Sequence, residues 1–176
     1  MKGKNIKQKI REYFFANPTA KLRVREIERT LKLPLPSVIR YCKELEQEEI
    51  LSITKTGTVS FYTANKASEK YILEKKLHNI RQLYESELIK YLKIELSNPT
   101  IVLFGSFAQG EDTESSDIDL YIETPSNRKV SLKKFEKILN RKIQVFQHKN
   151  IKEIKNTNLG NNIINGFLLN GFVEVL

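Results

Sequence analysis

The chain has 176 residues, 40% of them hydrophobic, and its 30 Lys and Arg against 21 Asp and Glu give a formal net charge of +9. This length suffices for two small domains, and the absence of a run of about 20 apolar residues excludes a transmembrane helix. The first residues lack the apolar segment of a signal peptide, and the single cysteine, Cys42, excludes an internal disulfide. We therefore expect a cytoplasmic protein without a membrane partner.

The positive charge is concentrated in the N-terminal third of the chain. Residues 1–66 contain 14 Lys and Arg and 7 Asp and Glu, a net charge of +7, whereas residues 67–176 contain 16 and 14, a net charge of +2. A basic excess of this kind indicates a polyanion as the partner of residues 1–66. A solvated, lysine-rich surface is the alternative.

Apolar residues at helical spacing predict three helices near the N-terminus, over residues 5–16, 23–31 and 36–48. Two strands, residues 50–54 and 59–63, follow around a glycine-containing turn at residues 55–58. Three helices followed by a β hairpin resemble the winged helix-turn-helix domains of bacterial and archaeal transcription regulators. The resemblance implies that residues 1–66 form a domain that binds double-stranded DNA.

The third of these helices, in the sequence LPSVIRYCKELE, is similar to the recognition helix of such regulators. A recognition helix enters the major groove with its N-terminal, solvent-facing residues, and arginine can pair with guanine in bidentate fashion. The residues expected to contact DNA are Ser37, Arg40, Tyr41 and Lys43, with Lys55 in the hairpin turn meeting a phosphate. Winged helices also serve as protein-interaction or dimerisation modules, which is the alternative for this domain.

Residues 67–96 are predicted to form a long helical stretch that contains at most one break. Apolar residues recur there at steps of three and four. We predict a helical linker whose last part belongs to the following domain. Its apolar stripe could pair with a second copy to form a homodimer, or pack on the two domains of the same chain. The stripe consists of Leu73, Leu77, Ile80, Tyr84, Leu88 and Tyr91.

The stretch IVLFGSFAQGEDTESSDIDLYIET, residues 101–124, contains the candidate catalytic residues. An apolar strand ends at Gly105, a polar loop is expected after Ser106, and a second strand begins at Asp117. Residues two apart in a strand share a face, so Asp117 and Asp119 point to the same side. Two neighbouring carboxylates repel each other unless a cation lies between them, and carboxylate oxygens suit Mg²⁺. Gly105 permits close approach of the backbone to a phosphate, and Ser106 offers a hydroxyl.

This stretch resembles the signature of the DNA polymerase beta-like nucleotidyltransferase superfamily, and within it the minimal nucleotidyltransferases, with the pattern GS-x-A-x-G followed by SD-x-D-L. The resemblance covers residues 80–176. It implies that Gly105 and Ser106 bind a nucleoside triphosphate, with ATP as the expected one. It also implies that Asp117 and Asp119 are catalytic ligands of Mg²⁺ or Mn²⁺. The motif residues in this chain are Gly105, Ser106, Ala108, Gly110, Ser116, Asp117, Asp119 and Leu120.

One position departs from the pattern of that superfamily. Its members have a third carboxylate on a neighbouring strand, which helps to hold the metal ion that activates the attacking hydroxyl. The corresponding strand here is expected over residues 142–146, and alternation places the neutral Gln144 on the site face. Gln144 is therefore expected to be a degenerate third metal-ligand position.

The remaining elements complete an α+β fold. After the acidic strand we predict a helix over residues 130–140, the Gln144 strand, a helix over 158–169 and a last strand over 172–175. Residues 97–176 would then form a nucleotidyltransferase-like domain, a small mixed sheet with helices on one side. The whole chain is expected to be a winged helix domain, a helical linker and this domain.

Two functions remain open at this point. In the first, the protein is an enzyme that transfers a nucleoside monophosphate to a hydroxyl. The resemblance implies that a separate small helical protein could be its partner. In the second, Gln144 marks a catalytically degenerate domain, and the protein is a nucleotide-sensing or antitoxin-like transcription regulator.

Overall fold

The computed structural model describes residues 5–174 and divides the chain into two units, one ending at His78 and the other beginning at Asn79. The first unit contains three helices, a short strand and a β hairpin, followed by most of a long helix that continues into the second unit. In chain order the elements are α1 (Ile6–Ala16), β1 (Lys21–Leu22), α2 (Val24–Leu31), α3 (Leu35–Gln47), β2 (Leu51–Thr56), β3 (Val59–Ala64) and α4 (Glu69–Glu85).

The three helices of the first unit begin and end at residues that suit those positions. The Asn5 Oδ1 atom accepts a hydrogen bond from the Lys7 N–H (3.1 Å) and caps α1. Lys32, with a φ of 52°, turns the chain between α2 and α3. The apolar faces of the helices meet the hairpin in one core, whose members include Ile10, Phe14, Ile27, Val38, Cys42, Leu45 and Tyr62.

The hairpin is longer than the sequence pattern predicts. β2 extends to Thr56, so Lys55 lies in a strand opposite Ser60 and the prediction that it lies in the turn is wrong. Gly57 and Thr58 alone connect the two strands, because glycine readily adopts the φ of 60° that this tight turn requires. β1, which pairs with β3, is absent from the sequence prediction because two residues are too few to show a periodicity.

The second unit contains the end of α4 and a four-stranded mixed sheet with further helices. Its other elements are α5 (Leu88–Glu95), β4 (Thr100–Phe104), α6 (Gly105–Gln109), β5 (Ile118–Glu123), α7 (Lys133–Leu139), β6 (Ile143–His148), a 3₁₀ turn (Ile151–Glu153), α8 (Thr157–Ile164) and β7 (Phe167–Asn170). The predicted mixed α+β fold class is confirmed. None of the helices between residues 5 and 174 combines the length and the apolar character needed to cross a bilayer.

The order of the strands in the sheet is β6-β5-β4-β7. β4 is antiparallel to both β5 and β7, whereas β5 and β6 are parallel and are connected through α7. The register places Phe104 of β4 and Gln144 of β6 on either side of Asp119 of β5. The C-terminal end of β4 and the N-terminal ends of β5 and β6 therefore meet at one edge of the sheet.

Helices cover both faces of this sheet, so the prediction of helices on one side is wrong. On one face, side chains of α4, α5, α6 and α7 pack against Leu103, Leu120 and neighbouring apolar residues. On the other face, the 3₁₀ turn and α8 cover the remaining apolar side chains of β4 and β5. The residues of this second cluster are Val102, Phe104, Tyr121, Ile151 and Ile163. Apolar residues at both odd and even positions of β4 account for the two covered faces.

Two further predictions need correction. The polar loop expected after Ser106 starts instead with the short helix α6, which ends at Gly110 in a left-handed conformation (φ 71°). The last helix ends at Ile164, five residues earlier than predicted, because Gly166 starts a return of the chain along β4. A Cβ atom at Gly166 would lie 2.5 Å from the Leu103 carbonyl oxygen, so this approach requires glycine.

The last strand is therefore β7, at residues 167–170. The predicted strand over residues 172–175 is not formed in residues 172–174, and Val175 lies outside the described residues. In the long helical stretch the predicted single break is present. It separates α4 from α5 at Glu87, which has a φ of 63°.

Candidate functional site

Gly105 joins β4 directly to α6 and lies against the carboxylate of Asp119. Phe104, the last residue of β4, is the register partner of Asp119, so the next residue along the chain comes beside that side chain. Gly105 has a φ of 75°, and a Cβ atom there would overlap the Asp119 Oδ2 atom. Glycine is required at this position both for the backbone conformation and for the space it leaves.

The carboxylates of Asp117 and Asp119 are close enough to influence each other. Partial burial raises the pKa of the Asp119 carboxyl above its ordinary value, and the negative charge of Asp117 raises this pKa further. A cation bound between the two carboxylates would remove both penalties, and hard oxygen ligands suit Mg²⁺ or Mn²⁺. Among residues 5–174, no three His, Cys, Asp or Glu side chains come together in a group that could hold a metal ion.

Gln144 lies beside Asp119 in the sheet. The two residues are register partners in the parallel strands β5 and β6, so their side chains project from the same face of the sheet. The Gln144 side chain is exposed. The face thus presents two carboxylates and a neutral amide.

Ser106 is the second residue of α6 and is partly buried next to Gly105. Its carbonyl oxygen accepts a hydrogen bond from the Glu111 N–H (3.0 Å), which closes the helix. Its hydroxyl makes no hydrogen bond to another residue in the part of the chain that the structure describes. That hydroxyl can therefore donate to a ligand without first breaking an internal bond.

A buried polar cluster that no sequence motif predicts holds the loop between α6 and β5. Asp112 Oδ1 accepts a hydrogen bond from Asn79 Nδ2 (2.8 Å), and its Oδ2 atom lies 3.3 Å from Arg141 Nη2. The exposed fractions of the Asp112 and Arg141 side chains are 1% and 8%. Asn79 also donates to the carbonyl oxygen of Phe107 in α6 (2.8 Å). The cluster ties α4, α6 and the start of β6 to this loop.

The same loop ends in a small turn just before Asp117. Thr113 N–H donates to Ser116 Oγ (2.9 Å), and Ser116 N–H donates to the Thr113 carbonyl oxygen (3.2 Å). Asp112 fixes one end of the loop and this turn fixes the other. Ser116 of the motif thus positions the residue that precedes β5.

In the first unit the candidate DNA-contacting residues lie on α3 and β2. Arg40 is 63% exposed, its guanidinium lies 4.3 Å from the Tyr41 ring centroid, and its Nε atom lies 3.8 Å from a carboxylate oxygen of Glu44. Lys43 is exposed, Ser37 is partly buried near the start of α3, and Lys55 is exposed on β2. Four of the five residues therefore share one helix, while Lys55 belongs to the hairpin.

Residues 85–164 match the family model described as Nucleotidyltransferase domain. A protein of Methanocaldococcus jannaschii with the provisional name protein adenylyltransferase MJ1379 is 39% identical over 69 residues, which are 35% of this chain and 69% of the relative. No solved structure matches the chain. The range that matches the family model contains Gly105, Ser106, Asp117, Asp119 and Gln144.

Proposed function

Because the chain belongs to the nucleotidyltransferase domain family, we propose that its second unit binds a nucleoside triphosphate, ATP, and transfers the nucleoside monophosphate to a hydroxyl. The observation that carries this proposal is the position of Asp119. The backbone of Gly105, which has no Cβ atom, lies against the Asp119 carboxylate, and Asp117 is close by. The Asp119 carboxylate fills the space that Gly105 leaves, so the start of α6 is adjacent to a pair of carboxylates that can hold a divalent cation.

Asp117 and Asp119 fit Mg²⁺ or Mn²⁺, because they offer hard oxygen ligands and because a cation relieves the repulsion that raises the pKa of Asp119. A bound divalent ion would polarise the phosphoryl oxygens and neutralise charge that develops on them. The two aspartates would hold the ion, and the close contact with Gly105 would hold Asp119 in place.

The proposed reaction is an in-line displacement at the α-phosphorus. The acceptor hydroxyl oxygen forms a bond to that phosphorus, the bond from it to the pyrophosphate oxygen breaks, and pyrophosphate leaves. The hydroxyl proton passes to water. The Gly105 backbone and the Ser106 hydroxyl would hold the leaving phosphates, since the Ser106 hydroxyl has no internal hydrogen bond among the described residues.

We further propose that the acceptor is a protein hydroxyl. The provisional name of the M. jannaschii relative, protein adenylyltransferase, supports this choice. A separate small helical protein, which the sequence resemblance implies as a partner, would present the hydroxyl.

The test is incubation of the purified chain with Mg²⁺ and ATP labelled at its α-phosphate, with and without candidate helical proteins. Label on an added protein, lost when Asp117 and Asp119 are both changed to Asn, is the expected result. If the double variant transfers as much label as the parent, the assignment of the two aspartates is wrong. A circular dichroism spectrum would establish that the double variant is folded.

A second candidate function follows from Gln144, which brings no charge to the site beside Asp119. In this alternative the second unit binds metal and triphosphate but turns over slowly or not at all. The protein then acts as a nucleotide-sensing, antitoxin-like transcription regulator. Binding of triphosphate without transfer to any acceptor would favour this function over the first.

Both functions include a proposed DNA-binding role for the N-terminal part. We propose that residues 1–66 form a winged helix domain, that 67–96 link it to the rest, and that 97–176 carry the transferase site. The net charge of +7 in residues 1–66 and the exposed guanidinium of Arg40 on α3 support DNA as the ligand. The family match begins at residue 85, which supports assigning the last part of the linker to the transferase domain.

A further inference from the structure

A cleft of about 340 Å³ lies at the edge of the sheet opposite Asp117 and Asp119, where the parallel strands β5 and β6 end. The two strands end side by side. Glu123 is the register partner of His148, and the Thr124 N–H donates to the His148 carbonyl oxygen (2.9 Å). The loops that follow the two strands form the cleft. Crevices outside the carboxyl ends of parallel strands are common ligand sites.

The loops that form this cleft are basic, whereas the loop at the other edge of the sheet is acidic. Residues 124–129 and 147–155 together contain five Lys and Arg and one Glu, a net charge of +4. Residues 110–117, which lead into β5, contain four Asp and Glu and no Lys or Arg, a net charge of −4, and one of these acids, Asp112, is paired with Arg141. The two edges of the sheet thus differ in sign, and a positive cleft concentrates anions.

Two lysines supply the positive charge of the cleft that is available to a ligand. Lys129 and Lys149 line it and are exposed, and their ammonium groups form no ion pair or hydrogen bond with any residue between 5 and 174. Arg128 also lines the cleft, but its Nη1 atom donates to Glu95 Oε2 (3.0 Å). The carboxylate of the lining, Glu153, accepts a hydrogen bond from the Lys149 N–H (3.2 Å). Cations therefore outnumber carboxylates in the lining by three to one.

Neutral hydrogen-bond donors complete the lining. The side-chain amide of Asn127 is exposed and has no hydrogen-bond partner in the part of the chain that the structure describes. The Ser126 Oγ atom accepts from the Arg128 N–H (3.2 Å), which leaves the hydroxyl proton available to donate. The Ser126 carbonyl oxygen accepts from Gln147 Nε2 (2.7 Å), and this bond ties the loop after β5 to β6. The cleft thus presents donors on a loop that is held in place.

This set of donors suits phosphate better than carboxylate. The planar fork of a guanidinium binds a carboxylate in bidentate fashion, but the fork of Arg128 is already engaged by Glu95. The remaining cations are ammonium groups, which bind phosphate oxygens as point charges. Amide and hydroxyl donors can satisfy the other oxygens of the same phosphate.

We propose that this cleft binds a phosphate group, with Lys129 and Lys149 contacting its oxygens and Asn127 donating a further hydrogen bond. The phosphodiesters of a nucleic-acid strand and a free polyphosphate share this chemistry. Lys152, exposed on the 3₁₀ turn next to Glu153, extends the positive charge beyond the cleft, which favours a strand. The site lies at the edge away from the two aspartates and does not depend on the proposed transfer reaction.

The test measures binding of two probes by the full chain in EDTA, which removes divalent ions from the two aspartates. Labelled oligothymidylate is followed by fluorescence anisotropy at several NaCl concentrations; a single strand is used because a recognition helix needs a duplex groove. Tripolyphosphate is followed by calorimetry. The double variant Lys129→Gln/Lys149→Gln should weaken both probes by about tenfold or more, because charge-assisted hydrogen bonds are lost. It should also reduce the salt slope for the strand by about 1.4 units, since two contacts to phosphate disappear.

Lys137→Gln/Lys142→Gln is the matched control. It removes the same charge from two exposed lysines, one on α7 and outside the cleft lining, the other at the start of β6 and therefore at the other edge of the sheet. This variant should bind both probes as the parent does.

The two probes distinguish the sources of the phosphate. A loss of strand binding in Lys129→Gln/Lys149→Gln, with or without a loss for tripolyphosphate, supports a nucleic acid, whereas a loss for tripolyphosphate alone supports a free polyphosphate. Equal affinities of the two double variants for both probes, or a parent that binds neither probe, would overturn the site. Neither result would affect the proposed transfer reaction, which requires the metal that EDTA removes.

Discussion

The carboxylate of Asp119 occupies the space in which Gly105 would carry a side chain. The first prediction follows from this contact. Gly105→Ala should displace Asp119 and abolish Mg²⁺-dependent binding of triphosphate. It should also destabilise the fold by about 1–3 kcal/mol, because alanine is strained at a φ of 75°. Calorimetry with Mg²⁺–ATP and chemical denaturation measure the two effects.

Gly57→Ala is the matched control for this variant. Gly57 has a φ of 60°, but a Cβ atom there would have no atom within 4 Å. This variant introduces similar backbone strain without a clash, so it should bind triphosphate normally. If Gly105→Ala binds Mg²⁺–ATP as tightly as Gly57→Ala does, the contact with Asp119 has no role in the site.

The second prediction concerns the pH dependence of stability in the absence of metal. Because the pKa of Asp119 is raised in the folded protein, the folded chain binds a proton at a pH at which the unfolded chain has lost it. The stability that this proton gives the folded state is present below the ordinary aspartate pKa of 3.8. It is lost as the pH rises through the raised pKa of Asp119 in the folded protein. Asp119→Asn should therefore be more stable than the parent at neutral pH in EDTA, and the difference should shrink towards acid pH.

Thermal unfolding of parent and Asp119→Asn across this pH range measures the effect. Glu111→Gln removes an exposed acid nearby and provides the control. Added Mg²⁺ should raise the Tm of the parent at neutral pH and leave that of Asp119→Asn unchanged. An Asp119→Asn variant that is less stable than the parent at neutral pH would mean that its carboxylate has a stabilising partner.

The third prediction concerns Gln144, the register partner of Asp119. Gln144→Asp should restore a charged ligand at this position and raise the rate of nucleotidyl transfer by about tenfold or more, equivalent to about 1.4 kcal/mol of the barrier. Without Mg²⁺ it should lower stability, because three carboxylates then share one face. Single-turnover transfer at saturating Mg²⁺ measures the rate.

Gln144→Asn separates charge from side-chain length in this experiment, since Asn and Asp have the same shape. It should not raise the rate. A parent that is fully active and loses activity when Gln144 becomes Asp would show that the amide itself takes part in the chemistry.

The fourth prediction concerns the buried ion pair between Asp112 and Arg141. Asp112→Asn should destabilise the protein by about 3–5 kcal/mol, because it removes one charge of a buried, hydrogen-bonded ion pair. Glu87→Gln, in the exposed Glu87–Lys90 pair, should change stability by less than about 1 kcal/mol. Denaturant unfolding compares the two, and equal effects would contradict the structural role of Asp112.

The fifth prediction concerns DNA binding by the N-terminal part. Arg40→Ala should weaken specific binding by about 1–3 kcal/mol if Arg40 contacts a base edge, and Arg40→Lys should not restore bidentate pairing. Lys55→Ala should weaken all sequences alike and reduce the salt slope by about one unit. Gel retardation with the DNA upstream of the gene is the measurement. No retardation of duplex DNA at low salt would exclude the DNA-binding role.

Much of the candidate site can be predicted from the sequence, because its residues are close together along the chain. Strand alternation predicts that Asp117 and Asp119 share one face, although β5 itself begins at Ile118, and an apolar run that ends at Gly105 indicates the strand beside them. The position of Gln144 follows from the same alternation in one more strand. These arguments need only the spacing of residues within a strand or a turn.

The buried cluster of Asn79, Asp112 and Arg141 could not be predicted in this way. No local pattern distinguishes Asp112 from the other acidic residues of its loop, and only the tertiary fold brings it to Arg141. The early return of the chain at Gly166 has the same origin. It depends on a close approach to β4 that the local sequence does not encode.

The Asn79–Asp112–Arg141 cluster also has a consequence for the order in which the protein folds. Its hydrogen bonds join residues that are 33 and 29 positions apart in the sequence, so each closes a long loop before it contributes stability. We therefore expect the segment that presents Asp117 to become ordered after α7 and β6 have joined the sheet. We expect the amides of residues 113–116 to gain protection from hydrogen exchange later in refolding than those of β4 and β5.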